Sequence, residues 1–380
     1  MNFDYYIPTK ILFGAGKLNQ LAEEKMPGTK ALIVISCGTS MRKNGYLQRL
    51  EELLKQQGIE SVVYDKILPN PVKEHVMEGA AVAKENGCDF IIGLGGGSSI
   101  DAAKAIAVMA VNPGDYWDYI GSGSGKGEVV ENGALPIVAI TTTAGTGTEA
   151  DPWTVITNGD EKIGFGDPAF TFPTLAVVDP ELMVSVPPQL TAFQGFDALF
   201  HAVEGYIANI ATPMSDIYAL ESIRLIAQYL PTAVADGTNI EAREKVALAN
   251  TLSGMVESTS CCISEHSLEH AMSGRHPDLP HGAGLIMLSE AYFSHFADKI
   301  PERFTHMAVA MGGTDFVEEL INLQKACDVG DLKMSDYGIT ADELEAIAEH
   351  ARDTMGFLFE LDPVQISDAE TVGILQAAFK

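Results

Sequence analysis

Four of the nine histidines, His266, His270, His276 and His281, fall within sixteen residues of one another. His266 and His270 are four apart, the spacing that puts two imidazoles on one face of a helix. His281 follows Pro280 at the start of another helical stretch, GAGLIMLSEAYF. Upstream, the amphipathic segment FDALFHAVEGY carries Asp197 and His201, again four apart, so a carboxylate and an imidazole can chelate together. One carboxylate with three neutral imidazoles suits Fe(II) or Zn(II) and leaves a coordination position for a substrate oxygen. Affinity alone favours zinc over iron, so these residues leave the choice of metal open. His75, His295, His306 and His350 read as ordinary core or surface residues.

A second constellation binds anions. The apolar run CDFIIGL passes directly into Gly95, Gly96, Gly97 and Ser98 and then into the helical stretch AAKAIAVMA. Strand, glycines and helix bring free backbone N–H groups and the positive end of a helix dipole against a pyrophosphate. A hydroxyl-rich loop, Thr141 to Glu149, follows another strand candidate, and ligands of open α/β sheets bind where such loops leave the strands. Gly14-Ala15-Gly16-Lys17 lacks the spacing of a P-loop, and no GxGxxG follows the first strand candidate.

The elements that must carry these groups change character along the chain. Residues 30–36, 60–65, 88–94, 135–141 and 174–179 are short β-branched runs, with helical patterns at 46–57 and 72–86 between them. Alternating strands and helices imply a parallel, doubly wound sheet. After Asp179-Pro180, residues 190–209, 213–229, 240–260 and 283–296 show helical periodicity. The expected organisation is an α/β dinucleotide-binding domain over 1–185 and an all-α metal-binding domain over 186–380, divided at the SVPPQ stretch around Ser185. GSGSGKG at 121–127 reads as a solvent-exposed turn.

Composition narrows the partners. In 380 residues, 52 acidic side chains face 24 basic ones, a net charge of −28, so nucleic acid and anionic membrane surfaces are not expected partners. The acidity is uneven: the first fifty residues hold seven basic and three acidic side chains, a net +4. With 46% hydrophobic residues the chain can bury a large core. MNFDYYIPTK lacks the features of a signal peptide, and the five cysteines form no CxxC pair, so a cytoplasmic, reducing location is expected.

Taken together, GGGSSIDAAK (95–104), TTTAGTGTEA (141–150), LAVVDPELM (175–183), DALFHAVEGY and HSLEHAMSGRHPDLPHGAGL make the chain resemble the iron-containing (group III) alcohol dehydrogenases, from ILFGAGKLNQLAE to about residue 356. The resemblance implies that Asp197, His201, His266 and His281 ligate the metal and that His270 stands beside nicotinamide and substrate. It places Gly96, Gly97, Ser98 and Asp101 at the pyrophosphate, Thr142, Thr143 and Thr146 at the second cofactor loop, and Asn70 and Lys162 at further cofactor positions. His276 lies in what reads as a one-residue insertion, and the Pro-His-Gly context selects His281 over it.

The implied activity is hydride transfer between a small primary alcohol or aldehyde and a nicotinamide cofactor, with Fe(II) or Zn(II) at the oxygen. A homodimer or higher homo-oligomer is implied as well. NAD-preferring members carry an acidic residue after the second strand, whereas Ser36, Cys37, Gly38, Thr39 and Ser40 stand here with Arg42 and Lys43 nearby. NADP(H) is therefore expected to be accepted and preferred over NAD(H). A glycerol-type polyol dehydrogenase, which replaces some of these histidines, and a dehydroquinate-synthase-like lyase, which needs more Lys and Arg around its substrate, are the alternatives.

Overall fold

The computed structural model describes residues 2–380. Strands β1 (Lys10–Phe13), β2 (Lys30–Ser36), β3 (Glu60–Ile67), β4 (Phe90–Gly95), β5 (Ile137–Thr141) and β8 (Leu175–Val178) form a six-stranded sheet in the order β1-β8-β5-β4-β2-β3. Every neighbouring pair is parallel. The period of two is visible in β2, where Ala31, Ile33 and Ile35 join the core on one face and Leu32 and Val34 the core on the other. With both faces covered, β4 is buried at all six positions, which explains its unbroken apolar sequence.

Helices α1 (Ser40–Lys43), α2 (Tyr46–Gln56), α3 (Lys73–Asn86) and α4 (Gly97–Met109) follow β2, β3 and β4 in turn. The helices α2 and α3 occupy the stretches that periodicity marks at 46–57 and 72–86.

Two elements escaped the sequence reading. The short edge strand β1 is one. The other is an antiparallel hairpin, β6 (Trp153–Asn158) and β7 (Glu161–Gly166), closed by a two-residue turn with Gly159 at φ 66°. Gly159-Asp160 was the available signal, because the first turn position has positive φ and favours glycine. The hairpin is bolted to α4 by Lys104, whose fully buried Nζ donates to Thr148 Oγ1, the Asp151 and Trp153 carbonyls and Asp151 Oδ1.

From Pro188 onward the chain is helical, with α5 (Pro188–Ile207), α6 (Pro213–Ala235), α7 (Ile240–Thr259), α8 (Ser264–Arg275) and α9 (His281–Ala297), then further helices between Pro301 and Ala378. Prolines open α5 and α6, where the missing N–H costs nothing, and Thr212 with Ser215 completes a capping box on α6. One large apolar core runs through these helices. Among the described residues no helix is long and apolar enough to cross a membrane.

The sheet-containing half meets the helices backbone to backbone where the loop after β5 crosses α7. A Cβ added to Gly254 of α7 would lie 2.1 Å from the carbonyl oxygen of Gly147, in the loop after β5. Only two glycines permit that approach.

Candidate metal and cofactor site

Asp197 and His201 lie one turn apart on α5, His266 sits in the first turn of α8, and His281 is the first residue of α9. Three separate helices thereby aim at one point. The Nε2 atoms of His201, His266 and His281 lie 3.6, 3.7 and 3.4 Å from Asp197 Oδ1. Donors bound at ~2.1 Å to a tetrahedral ion stand about 3.4 Å apart, so these separations fit a metal. Asp197 Oδ1 and His266 Nε2 are buried and have no hydrogen-bond partner among the described residues. Such atoms are costly to bury unless something binds them.

The opposite nitrogens are occupied. His266 Nδ1 meets Glu204 Oε1, His281 Nδ1 meets Glu269 Oε2, and His201 Nδ1 lies 3.3 Å from the Gly145 carbonyl. Partners of this kind fix each ring's orientation and keep Nε2 available for an ion. Burial disfavours charge on Asp197, yet the His201 and His281 rings outweigh it and hold its pKa well below the carboxylate range. For His201 burial likewise opposes charge, but Glu257 and Asp197 push the pKa well above that of a free imidazole.

His270 lies one turn beyond His266, its ring centre 5.3 Å from that of His281. Its Nδ1 donates to Met355 Sδ at 3.0 Å, which leaves Nε2 as an acceptor. Burial, reinforced by Lys162 and the neighbouring imidazoles, drives its pKa well below normal, so this ring stays neutral. His276, by contrast, ends α8 and pairs with Glu343 at 3.4 Å, outside the cluster.

A cavity of about 150 Å³ opens over these groups, and it brings together Asn70, Gly97, Ser98, Asp101, Thr146, Lys162, His201, His266, His270 and His281. Gly95 leaves β4 at φ 151°, and α4 begins at Gly97 with Gly96 as its cap. Added Cβ atoms on Gly96 and Gly97 would meet Thr143 and Thr146 at 3.0 and 2.4 Å, so the two cofactor loops pack directly on each other.

Some expected cofactor groups already have protein partners. Ser98 Oγ donates to the Pro69 carbonyl, and Asn70 Nδ2 to the Pro277 carbonyl at 3.2 Å. The Asp101 oxygens accept from Thr148 Oγ1 and the Val155 N–H, which ties α4 to β6. Lys162 Nζ lies on β7 and donates to Glu269 Oε2 and Ser273 Oγ, 3.3 Å from His281 Nδ1. It stands behind the His281 ring.

Ser36, Gly38, Thr39, Ser40, Thr142 and Thr143 do not line this cavity. Thr142 is buried, while Thr143 borders a smaller recess with Met183, Val186 and Arg243. The stretch after β2 is polar and mostly exposed, but it has a neighbour unforeseen in the sequence: Asp65 of β3 pairs with Arg42 at 2.6 Å. A carboxylate therefore reaches this region from the next strand, and Lys43 is left as its unpaired cation among the described residues.

Sequence reasoning also missed Glu204, Glu269, Glu257 and Cys262. The first two had a signal: Glu204 is seven residues after Asp197 on α5, and Glu269 is three residues after His266 on α8. Glu257 and Cys262, at the end of α7 and in the connection after it, had none.

Comparison with known proteins matches both halves of the chain. The family model for iron-containing alcohol dehydrogenase matches residues 8–180, and that for the C-terminal part of the Fe-containing alcohol dehydrogenase family matches residues 191–379. The 1,3-propanediol dehydrogenase of Klebsiella pneumoniae is 37% identical over 82% of this chain and 79% of its own length. The NAD-dependent methanol dehydrogenase of Bacillus methanolicus is 32% identical over 92% of this chain and 93% of its own. The crystal structure of an archaeal halo-thermophilic alcohol dehydrogenase from a Red Sea brine pool superposes with a TM-score of 0.95 at 34% identity, covering 100% of this chain and 99% of that one. With family models matched over both halves and a parallel sheet and helical half that superpose on a solved relative, the chain belongs to the iron-containing alcohol dehydrogenase family and is an oxidoreductase.

Proposed function

We propose that Asp197, His201, His266 and His281 hold a divalent iron or zinc ion and that the protein interconverts small primary alcohols and aldehydes with a nicotinamide dinucleotide. The observation that carries this reading is the convergence of three Nε2 atoms on Asp197 Oδ1 while each ring's other nitrogen is occupied. The ion, when bound, supplies Lewis acidity that lowers the pKa of an alcohol and polarises a carbonyl. The free N–H groups at the start of α4 receive the pyrophosphate. Trp153, Val155, Phe357 and Leu358 on the cavity wall exclude water from the reacting carbon. Neutral His270, with Nε2 as acceptor, holds or passes the hydroxyl proton.

NADP(H) is the preferred dinucleotide in this reading, with NAD(H) as the weaker alternative. Support comes from the side chains after β2: Ser36, Thr39 and Ser40 offer hydroxyls, Gly38 an amide and Lys43 a charge, and none of the five residues from Ser36 to Ser40 is acidic. We further propose that 1–185 acts as the cofactor domain and 186–380 as the metal domain, in a cytoplasmic homodimer or larger homo-oligomer. The glycerol-type and lyase alternatives gain nothing from the three-imidazole set.

The test is metal removal and return. Chelation should abolish both NADPH oxidation with short aldehydes and NADP+ reduction with short alcohols, and Fe(II) or Zn(II) should restore them. His281→Ala should lose bound metal and turnover together; full activity in that variant without metal would refute the assignment. A steady-state preference for NADH of tenfold or more would refute the cofactor choice.

A further inference from the structure

The chain between α7 and α8 is four residues long, Ser260 to Ile263, and it is not helical. It carries Cys262 into the cavity wall, partly exposed. The Cys262 Sγ and one ring nitrogen each of His201 and His266 lie within 4.8 Å of one another. A second trio, Asp197, His266 and His281, meets the same limit and shares only His266 with the first. His266 is 3% exposed, and its Nε2 lacks a hydrogen-bond partner among the described residues. Glu257 Oε1 lies 2.8 Å from His201 Nε2, so a further anionic oxygen adjoins this trio.

We propose that His201, Cys262 and His266 form a second, sulfur-containing metal position that accepts a soft divalent ion such as zinc or cadmium. It overlaps the Asp197-centred position and goes beyond the reading above, which uses no sulfur. Both positions draw on the imidazoles of His201 and His266, so one ion at a time occupies the pair. A carboxylate with imidazoles suits iron as well as zinc, whereas a thiolate shifts preference towards softer ions. As the metal–sulfur bond forms, the thiol proton leaves to solvent, one per ion bound.

X-ray absorption at the zinc edge tests this on full-length protein loaded with one equivalent of zinc in thiol-free buffer. One sulfur scatterer per zinc at ~2.3 Å, beside nitrogen or oxygen at about 2.0–2.1 Å, is the expected wild-type result. Cys262→Ser should lose the sulfur and keep the lighter ligands, and Cys261→Ser should keep it. A wild-type spectrum with nitrogen and oxygen alone overturns the proposal while leaving the Asp197-centred site standing. Sulfur that persists in Cys262→Ser, or disappears in Cys261→Ser, overturns it too. Failure of the wild type to retain zinc in any form overturns it as well, and leaves an iron-holding Asp197-centred site standing.

Discussion

Glu204 and His266 are joined through the ring nitrogen that faces away from Asp197. Glu204 Oε1 meets Nδ1, which leaves Nε2 pointing at Asp197 Oδ1 from 3.7 Å. The other Glu204 oxygen accepts the N–H of Ile263 at 2.7 Å, just before α8 begins. One fully buried carboxylate thus orients a ligand ring and anchors the helix that carries it. Glu204→Gln keeps the size but removes the charge, so metal affinity should fall roughly 10–100-fold. Competition against a chelator of known affinity measures this directly, and an unchanged affinity would remove Glu204 from the metal site's support.

Lys104 holds the hairpin to α4 through a buried ammonium. Its Nζ is fully buried and answers the Asp151 carboxylate at 3.1 Å, with Asp101 linked through Thr148. Lys104→Met leaves two buried carboxylates without their cation, which costs about 3–5 kcal/mol. Urea unfolding should show that loss, and a cost under about 1 kcal/mol would contradict the role given to this residue.

Asp362 makes stability depend on pH. Burial raises its pKa from 3.8 to about 7, against the hydrogen bonds it accepts from Ser264 and Tyr292. The folded protein therefore binds a proton that the unfolded chain has already released between those two values. Its contribution is fully present below the unfolded pKa and is lost as pH rises through about 7. Stability of wild type relative to Asp362→Asn should fall between pH 5 and pH 8. Parallel urea midpoints at the two pH values check the sign, and a rise would contradict it.

Gly38→Asp tests the cofactor site without crowding it, since an added Cβ meets only Ser36 Oγ at 3.7 Å. A carboxylate there repels a 2′-phosphate and accepts hydrogen bonds from a free ribose. The ratio of kcat/KM for NADPH over NADH should drop by about tenfold or more, equivalent to ~1.4 kcal/mol. An unchanged ratio would move the 2′-phosphate elsewhere.

Much of this arrangement was legible in the sequence because it is local. Asp197 with His201, and His266 with His270, share helix faces by spacing alone, and the glycines after β4 announce a βα turn. What stayed hidden depends on contacts made across the fold. Arg42 finds Asp65 on another strand, Lys162 reaches Glu269 from the hairpin, and Cys262 enters the cavity because α7 stops at Thr259. The hairpin itself was hidden for a different reason: its strands are only partly buried and lack the unbroken apolar runs that mark the central sheet.

The meeting of Gly147 and Gly254 works as a spacer of minimum thickness between the loop after β5 and the helices that carry Asp197, His201 and His266. Hydride transfer is sensitive to distance, and a displacement of ~1 Å can cost about 10²-fold in rate. Gly254→Ala inserts a methyl where the Gly147 oxygen already stands 2.1 Å away. The two halves must then part, with each binding surface intact. Such an enzyme would hold its ion and its dinucleotide normally and still turn over slowly, because the gap between donor and acceptor is gauged at a point that touches neither.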